Sequence, residues 1–190
     1  MTLLVLGMLL FFGAHSFAIA APGLRTTLRE RLGEGGWKGL YSVVSLAGLV
    51  LTCYGFGLAR QNPIFVWAPP HWLHHVAFLL MLPVFPLLFA AYLPGRIQRA
   101  AKHPMLAGVK FWALAHLLVN GMLHDLVLFG GFLVWAVADR ISLKRRPPQI
   151  LRNAAPRPWN DVIAVVGGLA AYALFVGWAH WRLFGVSPLG

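Results

Sequence analysis

Long apolar runs alternate with short polar connections along the chain. Six segments stand out, at about 2–22, 39–59, 73–93, 104–119, 122–138 and 160–181. Several approach the roughly 20 apolar residues that cross a bilayer as a helix. The fourth and fifth are short and meet at a tight turn, Val119–Gly121. They read either as two crossings or as a helical hairpin that stops short of two. Helices are the natural spans, because each satisfies its own backbone in lipid. The pattern therefore predicts an all-α, polytopic integral membrane bundle of five to six transmembrane helices. No internal repeat or long low-complexity tract divides residues 1–190, which read as a single transmembrane domain.

Composition agrees with the pattern. The chain is 59% hydrophobic and 11% charged, with a mean hydropathy of +0.71. A soluble domain carries roughly 25% charged residues.

The net charge of +11 invites a nucleic-acid reading, and the placement of the charges argues against it. Arg25, Arg29, Arg31 and Lys38 separate the first two segments, and Arg96, Arg99 and Lys102 separate the third and fourth. Arg140, Lys144, Arg145, Arg146, Arg152 and Arg157 separate the fifth and sixth. The remaining connections hold Arg60, with Arg182 near the far end. Such alternation is the positive-inside pattern. It predicts a multi-pass membrane protein with cytoplasmic odd-numbered connections and both termini on the outer, periplasmic side. Its partner is the lipid bilayer, whose anionic headgroups the basic loops meet, and not nucleic acid.

Smaller features refine this. "SFAIAAPG" offers a small-x-small cleavage site at Ala18-Ile19-Ala20. No basic residue precedes the apolar run and four follow it, the reverse of a secretory signal, so the first helix reads as retained. Cys53 is the lone cysteine, which excludes an intramolecular disulfide and reads as a small packing residue. "KRRPPQILRNAAPRPW", residues 144–159, has four prolines and reads as a partly extended cytoplasmic loop along the headgroups. Asn160 or Asp161 is placed to cap the last helix.

The candidate chemistry lies in the histidines. His15 and His116 sit well inside apolar segments, whereas His71, His74, His75, His103, His124 and His180 lie near segment ends. His15 precedes Arg25 by ten residues and His116 follows Lys102 by fourteen. Those spans are about 15 and about 21 Å of helix, so both imidazoles fall near the bilayer midplane. Trp112 and Asn120 share the His116 face by i±4 spacing; Met8, Phe11, Phe12 and Ile19 surround His15. Two midplane imidazoles among aromatic residues suit an apolar, bis-histidine haem. Each could equally hydrogen-bond a neighbouring helix.

"KHPMLAGVKFWALAHLLVNG" (102–121), "LFGGFLVWAV" (128–137), "FFGAHSF" (11–17) and "AHWRLFGVSPL" (179–189) together resemble the NnrU family over nearly the whole chain. The resemblance implies a bacterial inner-membrane protein linked to denitrification, that is, to nitrite and nitric oxide metabolism. The family is similar to 15-cis-zeta-carotene isomerase, an integral membrane haem b protein whose axial histidines match His15 and His116. Non-covalent haem b held by those two residues is the implied cofactor, with Trp112, Asn120 and Lys110 around it. Lys110 suits a propionate or snorkels to the headgroups.

The implied role is that of a redox, sensor or helper protein. The alternatives are a haem-dependent cis-trans isomerase and a non-catalytic assembly or regulatory partner of nitrogen-oxide reductases. The isomerase carries a cysteine three residues before its second histidine, and Ala113 stands there in this chain. That departure removes the alternative thiolate ligand. Two weaker patterns remain. Lys102-His103-Pro104 resembles the Arg-His-Pro stretch of S-adenosylmethionine-dependent membrane methyltransferases, and His71, His74 and His75 share a helical face suited to zinc.

Overall fold

A computed structural model describes residues 1–146 and 155–189. The centre of the 144–159 loop, with Pro147, Pro148, Gln149 and Arg152, lies outside the described residues. The helices are α1 Thr2–Ala20, α2 Pro22–Gln61, α3 Leu73–Met81, α4 Val84–Tyr92, α5 Arg96–Ala101, α6 Pro104–Val119, α7 Leu123–Leu143, α8 Asn160–Leu174 and α9 His180–Phe184. Among the described residues no strand forms, only an isolated bridge between Phe65 and Met122. The all-α membrane bundle expected from the hydropathy pattern is what the chain forms.

Thr2–Ala20, Pro22–Gln61, Leu73–Tyr92, Leu123–Leu143 and Asn160–Phe184 are long and apolar enough to cross a membrane. The fifth segment runs to Leu143 and so has 21 residues, longer than the 122–138 read from sequence. Helix α6 has 16 residues, about 24 Å, less than the roughly 30 Å of a hydrocarbon core.

The helices fall into two compact units, Met1–Ala68 with Asn120–Arg145 and Pro69–Val119 with Arg146–Gly190. In the first, α1 and α2 form an antiparallel hairpin that closes on glycine. Gly7 abuts Leu51 and Thr52, Gly48 abuts Phe11, and Gly55 abuts Leu3 and Leu4, all backbone against backbone. A Cβ at Gly48 would stand 2.6 Å from the Phe11 amide nitrogen. Lipid supplies no hydrophobic drive between helices, so close approach through small residues does the work. The Thr52 hydroxyl, buried in this seam, donates to the Gly48 carbonyl at 2.8 Å. Helix α7 joins through Trp135, whose indole N–H donates to the Ser16 hydroxyl at 3.2 Å. At its other end the Leu123 amide donates to Ile64 at 2.8 Å and the Val66 amide to Gly121 at 3.0 Å.

In the second unit α3 and α4 make one span broken at Leu82-Pro83, where proline lacks the helical donor. The Phe78 carbonyl accepts from the Leu82 amide at 3.2 Å and from the Tyr172 hydroxyl at 3.3 Å. Helix α8 packs on α4 where Gly168 lies against the Pro86 backbone. Neither candidate cap holds α8 itself. The Asp161 carboxylate accepts the Arg96 and Ile97 amides at 2.8 and 3.0 Å, capping α5 instead. The Asn160 amide donates to the carbonyls of Pro94 (2.9 Å) and Ala155 (3.1 Å). Pro104 opens α6, as its fixed φ and missing donor favour.

Candidate functional site

His15 lies on the fourth turn of α1, in the first unit. Its Nδ1 donates to the Phe11 carbonyl at 2.8 Å. A carbonyl only accepts, so Nδ1 carries the hydrogen and Nε2 the lone pair. The ring stacks on Phe11 at 4.1 Å and meets Trp135 edge-on at 5.7 Å and Tyr41 at 5.3 Å. Phe12 and Trp135 stack at 5.8 Å, and they also wall an open apolar groove of about 540 Å³ between α1 and α7, with Val5, Met8, Gly130 and Val134. His15 therefore sits in an aromatic nest that shares Phe12 and Trp135 with the groove.

His116 lies on α6, in the second unit. It repeats the same local device: Nδ1 donates to the carbonyl four residues back, Trp112, at 2.8 Å. The Trp112 ring stands 5.3 Å from the imidazole. Ala113 and Ala115 beside it are buried. The spacing argument thus places Trp112 and His116 together. Lys110 lies half-buried one turn and a half earlier on the same helix. Asn120 does not continue that face, because α6 ends at Val119 and Asn120 opens the next stretch of the first unit.

The other candidates part company with expectation. The His71 ring is 5.2 Å from His74 and 6.4 Å from His75, and His74 Nδ1 donates to the His71 carbonyl at 3.0 Å. Among the described residues, no group of three His, Cys, Asp or Glu side chains is arranged to hold a metal ion. The zinc expectation fails because no third donor converges. Cys53 is exposed on α2 and does not fill the core.

One pair went unread in the sequence. His124 and Asp125 open α7 and are both buried, 5% and 7% exposed, with His124 Nε2 3.6 Å from Asp125 Oδ1. Phe56 meets the imidazole edge-on at 5.2 Å. The Met122 amide hydrogen-bonds the Asp125 carboxylate, and Arg60 acts on it electrostatically. The available signal was Asp125 itself, an acid inside an apolar run, which in a membrane segment marks a functional or structural polar site.

The family model described as NnrU protein matches residues 3–188. No curated protein and no solved structure matches the chain. The match takes in both histidine helices and leaves out only the chain ends, so the chain belongs to the NnrU family.

Proposed function

We propose that this membrane protein binds haem b non-covalently in the bacterial inner membrane, and that the imidazoles of His15 and His116 would hold it. In this reading it serves nitrite and nitric oxide metabolism as a redox, sensor or helper protein. The observation that carries the cofactor is the matched tautomer. Each midsegment imidazole gives its Nδ1 hydrogen to its own helix, so in the neutral ring the lone pair is on Nε2. Metal-bound histidines are held in this way, because the second-shell acceptor fixes ring orientation and raises ligand basicity. The aromatic rings around His15 and the Trp112 ring beside His116 supply the apolar environment such a macrocycle requires.

Bound there, haem would supply one-electron chemistry and a site for diatomic ligands. This chain's residues would orient the imidazoles, exclude water and place Lys110 toward a propionate. The denitrification role rests on family membership. The isomerase alternative is disfavoured by Ala113, 0% exposed, where a thiolate-bearing side chain would be needed.

The test is an absorption spectrum of protein purified from haem-replete cells, oxidised and dithionite-reduced. A Soret band, split α/β bands and a b-type pyridine haemochrome are expected. His15→Ala and His116→Ala should each abolish or shift the spectrum, and His74→Ala should leave it unchanged. Stoichiometric, folded protein without a Soret band would overturn the proposal.

A further inference from the structure

Helix α2 is continuous in hydrogen bonding but not in direction. Gly33 has φ 69° and ψ 166° inside it, a conformation open to glycine and costly to other residues. A Cβ there would touch nothing, so backbone conformation and not space selects the glycine. The stretch 22–32 is thus a separate helix hinged onto the spanning part.

Its place follows from the packing of the hairpin. Gly48 lies against Phe11 and Gly55 against Leu3 and Leu4, a register that sets Ala20 level with about Gly39 and carries Gly33 beyond the end of α1. The Phe17 and Trp37 rings, 5.8 Å apart, close that end of the hairpin. The 22–32 helix, about 16 Å long, leaves this end and returns to it, so it lies on the headgroup side of the two spans.

The side chains suit that place. At about 100° per residue, Leu24, Leu28 and Leu32 fall within an arc of about 80°. Arg25 and Arg31 lie about 20° outside its two edges, and Thr26 and Glu30 lie opposite. Leu24 and Leu32 are 53% and 46% exposed. Arg29 and Lys38 are committed to the hinge: Glu34 takes Arg29 Nη2 at 2.6 Å and Lys38 Nζ at 3.2 Å. Arg25 and Arg31 make no ion pair among the described residues. The Thr26 and Thr27 hydroxyls donate to the carbonyls of Pro22 and Gly23 and add nothing to the apolar face.

We propose that Pro22–Leu32 is an in-plane amphipathic helix that seats its leucine face in the bilayer surface and binds anionic phospholipid headgroups through Arg25 and Arg31. A leucine stripe flanked by arginines is what an interfacial helix presents to lipid, with the charged ends snorkelling to phosphate. Basic residues near an anionic leaflet each add attraction. The hinge at Gly33 lets the helix lie flat while Glu34–Gln61 stands in the membrane.

The test uses the full chain in a Cys53→Ser background, in nanodiscs of phosphatidylcholine alone or mixed with phosphatidylglycerol. An environment-sensitive fluorophore is placed at Leu28→Cys or at Glu30→Cys, and acyl-chain-brominated lipid serves as quencher. Quenching at position 28 and not at 30, stronger with phosphatidylglycerol, is expected. Arg25→Gln with Arg31→Gln should lower the seated-to-unseated ratio about fivefold per arginine in the anionic discs. Equal quenching at the two positions, or none at 28, overturns the in-plane seating. Seating indifferent to phosphatidylglycerol or to the arginines overturns the anionic recognition. None of these readouts depends on a bound cofactor.

Discussion

Asp161, the second residue of α8, accepts the backbone amide of Ile97, 64 residues earlier in the chain, at 3.0 Å. With the Arg96 amide at 2.8 Å it ties the start of the last span to the connection before α6. Gly95 makes the approach possible, since a Cβ there would strike the carboxylate. Asp161→Ala and Gly95→Ala should both lower the melting temperature in detergent by a few degrees, and the double variant should be little worse than either. Additive losses would show that the two residues do not act through one contact.

The α1–α2 hairpin supplies a matched pair of glycines. Gly55 lies against the Leu3–Leu4 backbone, whereas Gly57 has nothing within 4 Å of a Cβ. Gly55→Val should separate the helices and cost more than the about 1–3 kcal/mol of ordinary overpacking, because backbone and not a side-chain tip is in the way. Gly57→Val should be near neutral. Fluorescence-detected size exclusion after a heating series reads both.

The basic-loop asymmetry predicts sidedness. With Cys53 replaced by serine, a cysteine at Gly35 should resist a membrane-impermeant maleimide in intact spheroplasts, and one at Gln61 should react. Reversed labelling would place the first connection outside and turn the molecule over.

For the proposed haem, histidine ligates ferrous and ferric iron alike, and no thiolate stands at Ala113 to compete. The spectrum should therefore remain six-coordinate on reduction, with little isomerisation of 9,15,9′-tri-cis-zeta-carotene followed by chromatography. Nitric oxide, a strong ligand, should shift the reduced spectrum on titration. Robust carotene turnover would instead favour the isomerase reading.

Much of this architecture is written in hydropathy, because a membrane span is a local property: a run of apolar residues suffices to announce α1 or α7. The Trp112–His116 contact was legible for the same reason, being set by helical spacing alone. What escaped depends on partners distant in sequence. Asp161 looked like a cap for its own helix, yet the amides it meets belong to residues 96 and 97. The break at Gly33 is signalled only by a glycine among the four between residues 33 and 39. Cys53 seemed a packing residue because periodicity could not say which side of α2 faces α1.

The buried pair at the start of α7 yields the most discriminating stability experiment. His124 Nε2 and Asp125 Oδ1 are 3.6 Å apart, too far for a direct hydrogen bond, so the pair itself contributes modestly. Asp125 has a second task at N3 of its helix, accepting the Met122 amide at the N-cap. Removing that carboxylate strands the Met122 backbone donor and deletes the negative charge on which Arg60 acts. Asp125→Ala should therefore cost about 1–3 kcal/mol, the penalty of an unsatisfied buried group plus a lost cap. His124→Ala removes an edge contact with Phe56 and a long polar contact with Asp125, and should cost less. Asp125→Asn keeps an acceptor for the Met122 amide and should recover much of the loss. Denaturant unfolding in mild detergent ranks the three variants. If His124→Ala proves the most damaging, the imidazole and not the carboxylate secures this end of the unit.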